Sequence, residues 1–169
     1  MELLIAGVVL CVGLLAVVAL FATAIGSNGR SRVDSTATMI SQAVLEQISA
    51  KLVGGGPAQV IDCANQTYMI DYAAGGANLS GTGIDFTQNP SSIAASRAAE
   101  GYQMNYTACN GGGEANTTAI YDVRWNIKAL GAPGQVQTWL VTVAAQPKSM
   151  TAGRFTFALP VTMRTYVGQ

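Results

Sequence analysis

Residues 2–52 read ELLIAGVVLCVGLLAVVALFATAIGSNGRSRVDSTATMISQAVLEQISAKL, and their pattern decides the fold. From Leu3 to Ile25 there are 23 positions with no charge, and only Thr23 is clearly polar. As an α-helix this stretch would be about 35 Å long at ~1.5 Å per residue, enough to cross a hydrocarbon core of ~30 Å. A cleavable secretory signal is the other reading. Such signals have a shorter apolar core, a basic start and a small-residue cleavage site, whereas the only charge before this stretch is acidic Glu2. A retained membrane-length helix fits better. Cys11, inside the run, reads as a small apolar side chain.

Beyond Gly26-Ser27-Asn28-Gly29 the pattern changes. Val33, Ala37, Ile40, Val44, Ile48 and Leu52 recur at spacings of three and four, while Arg30, Asp34, Ser41, Glu46 and Lys51 fall mostly elsewhere. This predicts an amphipathic helix. It should stop at Gly54-Gly55-Gly56-Pro57, where glycine entropy and proline geometry oppose continuation. No proline separates the two helical stretches, so they can form one rod of ~50 residues, about 75 Å long. Gly26 and Gly29 mark where it would bend or unwind.

The remaining chain is expected to be β-rich. In AIYDVRWNIKAL (119–130), Tyr121, Val123, Trp125, Ile127 and Ala129 alternate with Asp122, Arg124, Asn126 and Lys128, as in a strand with one face buried. A second strand follows across 136–145, with Trp139, Val141 and Val143 on one face. A third is predicted from Phe155, Phe157, Leu159, Val161 and Met163. Short links make the three an antiparallel meander. Pro160 cannot donate to a ladder, which favours an edge or a bulge for the last strand. Trp125 and Trp139 are expected in the core. Between helix and meander, Val60–Cys63, Thr67–Tyr72 and Tyr102–Cys109 are short strand candidates amid glycine-rich breaks. Residues 91–100 suggest one or two helical turns. The organisation is thus α+β: a hydrophobic helix at 1–25, an amphipathic helix at 26–53 and a β-rich head at 54–169.

Composition removes several functions. Nine Lys+Arg balance nine Asp+Glu, so no basic footprint for nucleic acid exists. The chain has no histidine, which excludes Ser-His-Asp and Cys-His catalysis, HExxH zinc sites and CxxCH haem attachment. Ser/Lys or carboxylate pairs remain, and no spacing recommends one. No enzymatic activity, metal or cofactor is expected. Asp62, Asp71, Asp85 and Asp122 are too scattered for a calcium loop and read as solvated or loop-capping. The triple-glycine runs lack the lysine of a phosphate loop.

Cys63 and Cys109 lie in the polar remainder and form the obvious pair, the alternative being two unpaired buried thiols. A bridge would require an oxidising compartment and stabilise the head by roughly 4 kcal/mol on the chain-entropy model. Arg30 and Arg32, however, follow the apolar span, and the positive-inside rule would put the bulk of the chain in the cytoplasm. Basic residues upstream of Met1, lost with a leader, would reconcile the two. Asn65-Gln-Thr, Asn78-Leu-Ser, Asn105-Tyr-Thr and Asn116-Thr-Thr match the N-glycosylation pattern.

A helix greasy all round in its first half and along one face in its second needs two partners: lipid or like helices for the one, a sheet for the other. Glu2-Leu3-Leu4-Ile5-Ala6-Gly7-Val8-Val9, the amphipathic continuation and the β-rich head resemble type IV pilins and pseudopilins. The likeness is strong over 2–52, moderate over 119–169, where it is similar to the minor-pilin branch, and weak between. The resemblance implies a lollipop-shaped subunit that rests in the inner membrane, is processed by a leader peptidase and an assembly machine, and polymerises with identical or related subunits into an extracellular filament on a bacterial cell. It implies assembly contacts through Glu2, Leu3, Leu4, Ile5, Val8, Val9, Leu14 and Leu15, with Glu2 pairing to the terminal amine of a neighbour. Family members carry a leader ending in glycine and several mature residues before that glutamate. Here Met1 directly precedes it, so no leader-peptidase site is located. The mid-helix proline of many relatives is also missing, so any melted segment is expected near Gly13 or Gly26–Gly29. A tethered binding domain that never polymerises is the alternative from another functional class.

Overall fold

The computed structural model describes residues 2–93, 101–110, 118–131, 138–149 and 159–168. One helix, α1, runs unbroken from Glu2 to Gly54, 53 residues, or about 80 Å at ~1.5 Å per residue. Neither Gly13 nor Gly26–Gly29 interrupts it. It stops at the predicted glycines: Gly55 and Gly56 have φ of 65° and 87°, a left-handed backbone that glycine adopts without a Cβ clash. The Gly55 amide donates to the Lys51 carbonyl at 2.8 Å and closes the last turn.

Nine strands follow among the described residues: β1 (Gln59–Ile61), β2 (Thr67–Met69), β3 (Gly75–Gly76), β4 (Leu79–Ser80), β5 (Gly83–Ile84), β6 (Gln103–Ala108), β7 (Ala119–Leu130), β8 (Thr138–Ser149) and β9 (Val161–Gly168). The three strand candidates before the meander therefore appear as β1, β2 and β6. A 3-10 turn occupies Pro90–Ser92; residues 94–100 lie outside the described residues. In the main sheet β7 pairs with β8, β8 with β9, and the other edge of β7 receives β6 and β3, all antiparallel. β7, β8 and β9 form the expected meander, and the architecture is α+β.

Helix and sheet meet through the residues the periodicity selected. Val33, Ala37, Ile40, Val44, Ile48 and Leu52 are all buried, and α1 lies across β8 and β9. They pack on Tyr121, Val123, Trp125 and Ile127 of β7 and on Val141, Val143 and Ala145 of β8. Trp125 is fully buried and donates its Nε1–H to the Asp71 carbonyl at 2.7 Å, which satisfies the one polar atom its burial would strand. Trp139 is only half-buried at the margin of the core.

Two expectations need correction. Within the described residues the last strand runs from Val161, and Leu159, expected in it, is exposed just ahead of it; Phe155 and Phe157 lie outside the described residues. Pro160 sits immediately ahead of the strand, where its missing N–H breaks no ladder bond, and β9 lies at the sheet edge, as its proline suggested. Secondly, the polar face of β7 is not simply solvated. Asp122 and Arg124 are buried because residues 76–93 fold over them as a strap. Its Ala77 and Ile84 make a second small core with Ala144 of β8, with Phe86 and Ile93 at its margin. Gly76 permits the strap to start there: a Cβ would lie 2.3 Å from the Trp125 carbonyl oxygen.

Candidate assembly surface

Burial along α1 begins at Gly29. Toward the N-terminus the helix makes no tertiary contact that shields it, and twelve large apolar side chains from Ile5 to Ile25 stand open, among them Leu15 at 71% and Phe21 at 65%. They point in all directions around the axis, because apolar residues fill every helical position rather than one stripe. Thr23, the polar exception, returns its hydroxyl proton to the Leu20 carbonyl at 2.9 Å, so it presents no unsatisfied donor to an apolar environment. Among the described residues this is the one helix long and apolar enough to cross a membrane. A dozen such side chains at ~1.5–3 kcal/mol each forgo roughly 20–35 kcal/mol when left in water. Lipid or other apolar helices must cover them.

The resemblance-based assembly residues all lie on this stem. Ile5, Val8, Val9, Leu14 and Leu15 are exposed; Leu3 and Leu4 belong to the helix, though their side chains lie outside the described residues. Glu2 is exposed in the first turn, where a carboxylate suits the positive end of the helix dipole. Cys11 is a free, exposed thiol on the same stem.

Cys63 and Cys109 are bridged, with Cα atoms 5.7 Å apart. The bridge joins the β1–β2 connection to the end of β6, and Asp62 reinforces the same corner. One oxygen of its buried carboxylate accepts from the amides of Ala64 at 2.9 Å and Gln66 at 2.8 Å, the other from the Thr107 amide and the Tyr68 hydroxyl, each at 3.2 Å. Burial pushes Asp62 up, but the amides of Gln66, Thr107 and Ala64 outweigh it and hold the carboxyl below its ordinary value. Burial and the neighbouring Asp62 charge push the Tyr68 hydroxyl up. Asp62 is therefore a buried loop cap. Asp71 caps Ala73, and Asp85 caps Thr87.

Asp122 departs from the expectation that these carboxylates are solvated or capping. Its Oδ2 accepts from Arg124 Nη2 at 2.7 Å and its Oδ1 from Gln103 Nε2 at 3.0 Å. Arg124 Nη1 donates to the carbonyls of Gln88 at 2.7 Å and Asp85 at 3.2 Å, and the guanidinium lies 5.0 Å from the Phe86 ring centre. This cluster fastens the strap to the sheet. The Asp-x-Arg spacing on one strand face was its only sequence signal.

Three glycosylation-pattern asparagines are described. Asn65 is exposed in a turn at φ 60°, Asn78 is exposed before β4, and Asn105 lies within β6, its Oδ1 accepting from Gln103 and Lys148. Asn116 lies outside the described residues. No group of three or more metal-ligating side chains occurs among the described residues. No protein-family model, no curated protein and no solved structure matches this chain.

Proposed function

We propose that this chain is a structural subunit of a type IV pilus-like filament, inserted in the inner membrane before assembly and polymerised outside a bacterial cell through α1. The observation that supports it most is the division of a single helix at Gly29: one part is docked on a sheet by six buried apolar residues, the other is apolar and bare on every side. A stem of that kind is soluble in a bilayer. Once drawn out of lipid it stays shielded only inside a bundle of kindred stems. In such a bundle Glu2 would be a carboxylate in an apolar core, which costs several kcal/mol unless paired; a neighbour's terminal amine supplies the partner and fixes axial register. Assembly machinery, a leader peptidase and sister subunits are the partners this reading requires, and the filament carries adhesion, motility or secretion rather than catalysis.

The test is physical. Surface appendages sheared from producing cells should contain the intact chain in long particles by electron microscopy, resistant to mild detergent. Recovery of the chain solely as detergent-extracted monomers would favour the tethered binding domain instead, and recovery of a free head without its stem would remove both readings.

A further inference from the structure

The strap leaves part of the outer sheet face uncovered, and the cross-strand register shows what stands there. Lys128 of β7, Leu140 of β8 and Tyr166 of β9 share one row; Asn126, Thr142 and Arg164 share the next. Lys128 and Arg164 are exposed, as is Tyr166 at 70%. Among the described residues neither cation has a carboxylate within ion-pair distance. Arg164 is not loose, however: its Nε donates to the buried Thr142 hydroxyl at 3.1 Å. That bond orients the guanidinium and leaves the edge bearing its amino groups open, the geometry that suits a planar carboxylate.

We infer that this patch of β7–β9 binds an acidic polysaccharide, with Arg164 and Lys128 taking carboxylates and Tyr166 offering its ring face to the sugar between them. Two strand spacings of ~4.8 Å and one row offset separate the cations by about 10–12 Å. Two cations set that far apart can take carboxylates a few sugars apart along a uronic-acid chain, but they fall short of the continuous cationic track that a nucleic-acid backbone calls on. A flat tyrosine among partly apolar neighbours favours the apolar faces of sugar rings. Each site is weak alone, and repetition of the chain on one particle would raise avidity by multivalency. The site needs only one copy, so it stands whether or not the chain polymerises.

The experiment uses the full chain in non-ionic detergent, titrated with oligogalacturonate, with neutral maltooligosaccharide of equal length and with a single-stranded oligonucleotide of equal charge. Oligogalacturonate should bind measurably and lose affinity with added salt, while the neutral sugar does not bind. Arg164→Gln, Lys128→Gln and Tyr166→Ala should each weaken binding by about fivefold or more, a loss of charge-assisted or ring contact on the order of one hydrogen bond. Lys148→Gln, a cation already engaged by Asn105 on the same sheet face, should leave binding unchanged. The inference is overturned if oligogalacturonate binds no better than the neutral sugar, if the three patch variants bind like wild type, or if the oligonucleotide binds more tightly than the polysaccharide.

Discussion

Arg124 and Asp122, two residues apart on one strand, close an ion pair of 2.7 Å with side chains only 3% and 11% exposed. Neighbours on a strand two apart share a face, and here the shared face is roofed by a loop whose carbonyls and Phe86 ring are also claimed by Arg124. The pair is therefore a fastener between sheet and strap rather than a surface charge pair of small worth.

Removing both members should cost less than the sum of removing each alone. Arg124→Met leaves the Asp122 carboxylate and two strap carbonyls buried without their donor, and about 3–5 kcal/mol of stability should go. Asp122→Leu should destabilise by a similar amount. The double variant should lose less than the sum, with a coupling of about 1–3 kcal/mol. Denaturant titrations of the four full-length chains in detergent measure the cycle; strict additivity would mean the two side chains do not act together.

The disulfide and Asp62 hold the same corner by different means. Cross-linking residues 46 apart in sequence restricts the unfolded chain by about 4 kcal/mol in the entropy model. Cys63→Ala with Cys109→Ala should lower stability by about 2–4 kcal/mol, while hydrogen exchange at the amides of Ala64 and Gln66 stays slow because Asp62 still accepts them. Fast exchange at both amides in that variant would show that the bridge, not the carboxylate, orders the turn.

Tyr121 joins strand to helix through its hydroxyl, which donates to the Val33 carbonyl at 3.4 Å. Burial, aided by the Asp34 charge, outweighs a hydrogen bond with Thr36 and pushes the phenol up to about 12 from an ordinary value of 10. The folded state thus holds this proton more tightly than the unfolded state, so its contribution is complete below pH 10 and lost as pH climbs through about 12. Denaturation midpoints of wild type should fall across that window, and those of Tyr121→Phe should fall less steeply. Equal slopes would assign the alkaline loss to other groups.

Helix, meander and disulfide were readable because each rests on local periodicity or on a single pairing. All six apolar positions of the amphipathic stripe are buried, and the glycine run stops the helix where it stands. The strap was not readable, since Ile84, Phe86, Asp122 and Arg124 are brought together by long-range folding, and alternation alone assigned Asp122 and Arg124 to solvent. Leu159 was assigned to the last strand because period two runs on through Pro160, whose missing N–H falls instead just ahead of the ladder. For the stem, sequence and structure give the same picture, a bare apolar helix.

On the proposed filament reading, Glu2 should separate folding from assembly. It sits 27 residues before Gly29, the first buried position of α1, roughly 40 Å away along the axis at ~1.5 Å per residue. Nothing in the head senses it, so Glu2→Ala should leave the denaturation midpoint of the head and the Cys63–Cys109 bridge unchanged. In a stem bundle the same substitution removes the partner of a neighbour's amine and the register it sets, so sheared filaments should drop at least tenfold while membrane-bound chain accumulates. Glu2→Asp, which keeps the charge on a shorter arm, should recover part of the yield. Wild-type filament levels from Glu2→Ala would sink the pairing role and leave the apolar surface as the sole source of register. Loss of filaments together with an unfolded head would mean that the substitution acts on folding rather than assembly.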